Sequence, residues 1–505
     1  MWFWFRIFDP ESRLRGEEAR AAGLRLWTDL IARKLDDGVD VSIAVADFDP
    51  VGAPSLHAGA WRTARALASL QSAPRGPGAG RLDVLVADHA ARAGLLWRLL
   101  AWPRALSSAA AARQAFNRRE PAQALVEFPG LARWLALRDD RLVWRGVALP
   151  ELKPATHHQK LAVFDGETAI LGGIDVDDRR WDTPRHDRPA EETWRDLSVQ
   201  VRGPAAVAAG RALAALWNDE CARLASSARP LDPPTRSETP NGSPPKSAPD
   251  PAMRFRVTLS GSRRAGWRGF GVAPLRQELE EDHLALIGEA ERLIFLETQF
   301  LRSRAIVDAL VARADARSDL GLVAILPGAP DAVAFEGRRG LPERLGEALQ
   351  AEAADRLHAA FGPRVALLSP VQRKPAPPEA GRAALAEAEI IYVHTKALIV
   401  DDRAAIVSSA NLNGRSLRWD TEAGLTIRDA DFSAKLRRRL SRPLAPAPVA
   451  DASTERAAAA WRELAEADAG RQPENRLGRV APYAAAPARR LGLRAALHLL
   501  PEEIV

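Results

Sequence analysis

The chain has one cysteine, Cys221, in 505 residues. That excludes an intramolecular disulfide framework and a multi-cysteine metal site, and it fits a reducing compartment. No run of 18 or more apolar residues occurs, so no membrane-spanning segment is expected. The protein is expected in the cytoplasm, with any membrane contact peripheral. The opening run Met1-Trp2-Phe3-Trp4-Phe5-Arg6-Ile7-Phe8 has no basic stretch before it and an arginine inside it. It reads as a first strand, not as a secretory leader. Lysine is scarce as well, with only seven among 71 basic residues. The net charge of +6 suits an anionic partner such as nucleic acid, phospholipid or a phosphate ester, without choosing among them.

One stretch occurs twice. His158-Gln159-Lys160-Leu161-Ala162-Val163-Phe164-Asp165 returns as His394-Thr395-Lys396-Ala397-Leu398-Ile399-Val400-Asp401. Each copy is His-x-Lys, four apolar residues and Asp. The match continues at equal offsets through Gly172 and Ser408, Gly173 and Ser409, Asp175 and Asn411, and Arg179 and Arg415. A Trp-Asp-Thr triplet follows each, at 181–183 and 419–421. Self-similarity at this distance indicates a duplicated domain, not a short-period solenoid. Two of the seven lysines, Lys160 and Lys396, fall in the motifs. An ammonium is a compact point charge that fits a crowded phosphate site better than the wide guanidinium fork.

Apolar runs at 2–8, 41–47 and 82–87 alternate with helical patterns at 17–36 and 55–71, which implies an α/β sheet covered on both faces. Residues 90–150 read as helical, with Trp97, Trp102, Trp134 and Trp144 as packing residues. Each motif begins a hairpin. Asp165-Gly166 and Asp401-Asp402 supply the turns, the first a stronger signal than the second. Helices are expected over 203–224, 275–291, 303–314 and 342–360, with strands at 255–259, 293–299, 322–326 and 365–368. The division is 1–224 as a first lobe, 225–252 as a Pro/Ser/Gly-rich linker, 253–440 as a second lobe and 441–505 as an Ala/Arg-rich tail.

Strand alternation sets His158 and Lys160 on one face, and likewise His394 and Lys396. Displacement at phosphorus needs a nucleophile, an acid for the leaving oxygen, and positive charge around the nonbridging oxygens. Two histidines can divide the first two tasks, one entering neutral and the other protonated, so their environments are expected to push the pKa values apart. The two lysines, Asn411 and the backbone near Gly173 and Ser409 are expected to hold the phosphoryl oxygens. Asp165 and Asp401, at the turn ends, suit structural pairing more than proton transfer. A metal site is disfavoured because His-x-Lys sets an ammonium beside the imidazole.

These residues resemble the phospholipase D superfamily, whose signature is a pair of His-x-Lys-x4-Asp motifs. Gly172-Gly173-Ile174-Asp175 with Arg180-Trp181-Asp182-Thr183-Pro184, Gly203-Pro204-Ala205, and Glu297-Thr298-Gln299-Phe300 are similar to runs of its phosphatidylcholine-hydrolysing branch. Ser408-Ser409-Ala410-Asn411-Leu412-Asn413-Gly414-Arg415-Ser416 and Asp420-Thr421-Glu422 complete the likeness, with Ser408 where the family has Gly. The resemblance covers about 1–225 and 253–440. It implies two similar lobes, each a mixed β-sheet flanked by helices, packed as a pseudo-dimer around one active site. It implies catalytic roles for His158, Lys160, Asp165, His394, Lys396 and Asp401, and substrate contacts from Gly173, Asp175, Gln299, Ser409, Asn411 and Glu422. It further implies a phosphohistidine intermediate, His158 as nucleophile and His394 as acid, transfer to water or an alcohol, and no cofactor or required metal.

The Trp-Asp-Thr-Pro and Glu-Thr-Gln-Phe runs favour a glycerophospholipid at a membrane surface as substrate. The alternatives are a nuclease-like phosphodiesterase acting on nucleic acid, a cardiolipin synthase-type phosphatidyltransferase, and a catalytically silent phosphate- or membrane-binding module. No interleaving of aromatic and basic residues suggests a strand-tracking groove. Loops at 179–196, 327–341 and 370–382 are expected to rim the mouth and set head-group choice.

Overall fold

The computed structural model describes residues 1–50, 52–146, 148–224, 252–265, 269–493 and 500–505. The expected linker therefore lies outside the described residues, apart from Ala252.

The first sheet is built from β1 (Trp2–Phe5), β2 (Val41–Ala46), β3 (Leu82–Ala87), β6 (Leu161–Phe164), β7 (Thr168–Gly172) and β8 (Ser198–Arg202). A separate hairpin joins β4 (Leu135–Arg138) to β5 (Arg141–Trp144). The second half contributes β9 (Met253–Ala265), β10 (Gly271–Gln277), β11 (Leu293–Thr298), β12 (Gly321–Ile325), β13 (Val365–Pro375), β14 (Ala384–Leu385), β15 (Ala388–Ile390), β16 (Lys396–Val400), β17 (Ala404–Ser408), β18 (Glu422–Ile427) and β19 (Val480–Pro482).

The first sheet runs β3-β2-β1-β6-β7-β8, and the second contains β13-β12-β11-β16-β17-β18. In both, the first three strands are mutually parallel and the remaining pairings antiparallel. The duplication seen in the motifs thus extends to topology. The second sheet is longer, with β9 and β10 beyond β18, β15 and β14 beyond β13, and β19 beside β13.

Near-continuous apolar runs form these strands because both faces are covered. In the first half, helices Trp27–Asp36 and Pro54–Gln71 bury one face with Phe3, Ile43 and Val86. Helix Pro204–Leu224 covers the other with Trp4, Val163 and Leu213. Leu425 and Ile427 of β18 join that second cluster, so the two halves share apolar core. Both motif hairpins turn through left-handed residues, Asp165 (φ 52°) with Gly166 (φ 70°) and Asp401 (φ 53°) with Asp402 (φ 55°). The weaker Asp-Asp signal forms the same turn as Asp-Gly, because Asp tolerates the left-handed region better than most residues.

Several boundaries differ from the sequence reading. The helix expected over 17–36 is broken into Glu17–Ala21 and Trp27–Asp36, with Gly23 at φ 72° between them. The helix expected from 275 starts at Glu278, since 271–277 pair with β9 as an edge strand that tolerates Pro274. The 90–150 segment holds a 23-residue helix, Leu95–Asn117, but also the β4–β5 hairpin. The described residues of 441–505, read as a tail, are packed onto the second half. Trp461 is fully buried against Phe295, and β19 pairs with Leu368–Pro370.

Candidate active site

The paired strands fix which residues of the two halves correspond. Gly173 N–H donates to Leu197 O and Ser409 N–H to Ala423 O, each at 2.9 Å. Counting back one residue puts Asp196 in the position of Glu422. The Trp-Asp-Thr triplets are therefore not equivalent. Asp182 pairs with His186 at 2.7 Å, whereas Asp420 accepts from Thr156 N at 2.8 Å and pairs with Arg415.

The halves meet at the motifs through reciprocal bonds. His158 N–H donates to Thr421 O at 2.9 Å, and His394 N–H to Arg195 O at 2.8 Å. The next residue of each segment then faces an imidazole of the opposite half. Glu422 Oε1 lies 2.8 Å from His158 Nδ1, and Asp196 Oδ2 lies 2.6 Å from His394 Nδ1. A carboxylate at Nδ1 takes that nitrogen's proton in hydrogen bonding and leaves Nε2 as the free lone pair. Asp196 was missed by the sequence reading. The triplet match pointed to the wrong segment, and only strand register reveals it.

The two acids are seated differently. Gly173 lies against the Asp196 carboxylate: a Cβ there would stand 2.1 Å from Oδ1. Its counterpart Ser409 instead donates its hydroxyl to Glu422 Oε2 and accepts from Ala423 N at 3.0 Å. Gly173 and Ser409 thus serve the acids. Arg195, one residue before Asp196, forms a buried bidentate pair with Glu297 of β11 at 2.7 and 2.9 Å. That pair ties the Asp196 segment to the second sheet. The Trp194 ring packs on His394 with centroids 4.8 Å apart.

The lysines are buried. Lys160 Nζ donates to His158 O at 2.7 Å, lies 3.3 Å from His158 Nε2, and stands 3.9 Å from Asp175 Oδ2. Asp175 also pairs with Arg180 and accepts from Ile7 N at 3.0 Å. It therefore neutralises site cations, which fits a negative group poorly as a direct phosphate contact. Lys396 Nζ donates to His394 O and reaches Gln299 Oε1 at 3.4 Å, while Gln299 Nε2 donates to Tyr392 OH at 2.7 Å. In register, Arg6 of the first half occupies the place of Gln299. Asn411 is buried, and its Oδ1 has no hydrogen-bond partner among the described residues.

Asp165 and Asp401 lie apart from this group. Each sits at the far end of its motif strand, about 16 Å of chain from the lysine. Asp401 accepts the N–H groups of Glu291, Arg292 and Leu293 at 2.7, 2.7 and 2.8 Å, clamping the start of β11 to the hairpin. The motif aspartates are turn residues here, not members of the histidine–lysine cluster.

Burial, followed by the neighbouring Lys160, lowers the His158 pKa well below its ordinary value. Burial and then Lys396 do the same to His394. Both histidines are shifted in the same direction, because both lie in the same cationic, desolvated site. Burial also raises Asp196 to about 6 and Glu422 to about 7, and lowers Lys160 to about 8 and Lys396 to about 7. Lys160 depresses His394 and Lys396 depresses His158, so the four groups share one electrostatic site.

Of the expected rim, 327–341 supplies Asp331 N, 3.3 Å from Tyr392 OH, which bonds Gln299. Residues 370–375 continue β13 as strand instead of forming a loop. Gln372 Nε2 donates to Arg188 O at 2.8 Å, tying that strand to 179–196.

Comparison with known proteins places this arrangement. A family model described as "Cardiolipin synthase, PLD-like domain" matches residues 284–443. Phospholipase D1 of Schizosaccharomyces pombe is 27% identical over 351 residues, spanning 54% of this chain and 25% of that protein. Major cardiolipin synthase ClsA of Bacillus subtilis is 24% identical over 281 residues, covering 55% of this chain and 46% of its own length. Phospholipase D zeta 2 of Arabidopsis thaliana shares 52% identity over 44 residues, 8% of this chain and 4% of that protein. The chain thus spans less than half the length of these curated relatives. The PLD-like domain over residues 284–443, these likenesses over about half of the chain and the duplicated sheet together support the phospholipase D superfamily as its family.

Proposed function

We propose that this protein is a phosphodiesterase that cleaves glycerophospholipids through a phosphohistidine intermediate. The observation that carries it is the reciprocal pairing of each motif histidine with a buried carboxylate of the other half, beside two buried lysines. In the first step the His158 Nε2 lone pair attacks phosphorus, and the bond from phosphorus to the head-group oxygen breaks. The leaving oxygen takes a proton from His394 Nε2. In the second step His394 removes a proton from water or an alcohol, whose oxygen attacks phosphorus and breaks the P–N bond. The products are phosphatidic acid or a phosphatidyl-alcohol, with both histidines restored.

Both histidines are biased toward the neutral form by burial and by the lysines. An arriving phosphodiester anion offsets those cations, so it raises the histidine pKa values and lets His394 load its proton. Lys160, Lys396 and the free Asn411 amide surround the phosphoryl oxygens as charge spreads onto them. The order of the histidines follows the resemblance; the geometry around them is reciprocal. Relatives described as phospholipase D and as cardiolipin synthase support a phospholipid substrate over nucleic acid.

Phosphorus NMR of mixed phospholipid vesicles in EDTA with a little primary alcohol tests this reading. Phosphatidic acid and phosphatidyl-alcohol are expected with wild type, and neither with His158→Ala or His394→Ala. Turnover surviving both substitutions would overturn the mechanism. Unchanged lipid with wild type would shift the substrate to nucleic acid or another diester.

A further inference from the structure

The first two turns of the helix Leu95–Asn117 are apolar on the side that faces away from the protein. Its outward stripe opens with Leu95, Leu96, Leu99 and Leu100, exposed by 58, 45, 44 and 66%. Only Ala105 and Ala109 of the helix are fully buried. Such a surface normally faces a core or a partner, since soluble proteins seldom expose contiguous leucines. The charge around it is one-sided. Between Asp88 and Glu120 the chain carries six arginines and no acidic residue. Arg104 follows the leucines on the same exposed stripe, and Arg118 and Arg119 are exposed just beyond the helix.

The patch is also tied to the candidate active site. Gly94 N–H, at the helix start, donates to Gly269 O at 2.8 Å, and Trp97 packs edge-on against Phe270. Beneath them Ala91, Ala155, Val272 and Trp419 form one apolar cluster. Ala155 lies three residues before His158, and Trp419 three before Glu422.

We propose that this leucine face, flanked by its arginines, docks the protein on an anionic phospholipid surface. Leucine and tryptophan beside arginine, with no acidic residue, is the composition of interfacial helices, whose apolar face enters the lipid boundary while the cations meet head-group phosphates. The inference rests on the phospholipid reading above for its biological sense, but it is tested separately.

Vesicle flotation should compare phosphatidylcholine alone with phosphatidylcholine containing phosphatidylglycerol, using wild type, Leu96→Ser/Leu100→Ser and Arg104→Glu/Arg118→Glu/Arg119→Glu. All five substituted positions are exposed, so the fold is expected to persist, and circular dichroism checks it. Wild type should float with the anionic vesicles and at least tenfold less with the neutral ones. Each variant should lose at least tenfold of the anionic binding while cleaving monomeric bis(p-nitrophenyl) phosphate at the wild-type rate. Wild-type binding by both variants, or no anionic binding by wild type, would overturn the proposal. So would a wild-type dimer in light scattering that the leucine variant converts to monomer, because a second copy would then cover this face. Leucine-dependent flotation without any diester cleavage by wild type would leave docking standing and remove the proposed activity instead.

Discussion

The two halves present a histidine in the same way but with different parts. In the first half a glycine, Gly173, makes room for the short acid Asp196, which supports His394 of the second half. In the second half a serine, Ser409, steadies the longer acid Glu422, which supports His158 of the first. Around the lysines the halves diverge further. Lys160 shares its surroundings with Asp175 and Arg180, whereas Lys396 meets the neutral Gln299. The backbone frame was duplicated and conserved in register between the halves, while the side chains filling it became unlike. Such divergence is what a site needs if its two histidines are to take different roles.

The largest effect expected from breaking the pairing is loss of either histidine. His158→Ala and His394→Ala should each lower kcat for vesicle phospholipid by at least about a thousandfold, with folding unchanged by circular dichroism. Next come the acids. Asp196→Asn and Glu422→Gln keep shape but remove the carboxylate that sets the tautomer, at a cost of about a hundred- to ten-thousandfold in kcat. The neighbours of the acids should separate the halves. Gly173→Ala, whose Cβ would stand 2.1 Å from Asp196 Oδ1, should displace the acid and approach the Asp196→Asn defect. Ser409→Ala removes the hydroxyl's bonds to Glu422 and Ala423 but leaves the acid in place, and should cost only about tenfold. Equal losses from the two neighbours would contradict the different seating of the acids.

The pH dependence sharpens the contrast between the lysines. Burial, partly offset by Asp196, lowers Lys396 to about 7, whereas Lys160 falls only to about 8. As pH rises through those values the free site loses positive charge, so kcat/KM should fall first near pH 7. A bound phosphate anion holds the proton on each lysine, so kcat should fall only at higher pH. Coincident alkaline limbs for kcat and kcat/KM would contradict this. The smallest effect belongs to the motif aspartates. Asp401→Asn weakens a clamp of three backbone N–H groups and should cost about 1–3 kcal/mol in denaturant unfolding, with little change in kcat.

Much of this could be read from the chain. The repeated His-x-Lys pairs, both hairpin turns and the buried strands follow from local pattern and spacing, whereas Glu422 is reached only through the family resemblance, and there as a substrate contact instead of the partner of His158. Asp196 does not, because its place is set by the bond from Gly173 to Leu197 across a strand pair, and the nearby Trp181–Thr183 triplet offers a closer but misleading match. Arg6 is hidden for the same reason: its correspondence with Gln299 exists only through pairing with the motif strands. The edge strand at 271–277 carries a proline that weakens its pattern. The Ala-rich C-terminal segment reads as a helix with an irregular tail, yet its helix Ala457–Ala469 buries Trp461 in the second half. Tertiary register, not local propensity, decided each of these.

The central claim, that one histidine of each half performs a distinct covalent task, is tested most directly by trapping the intermediate. His394→Asn should be mixed with bis(p-nitrophenyl) phosphate, whose leaving group needs no acid, and the protein examined by mass spectrometry. The account predicts one equivalent of nitrophenol and a stable phosphoryl adduct on His158, with no adduct in His158→Asn. An adduct on another residue, or steady turnover by His394→Asn without any adduct, would contradict it.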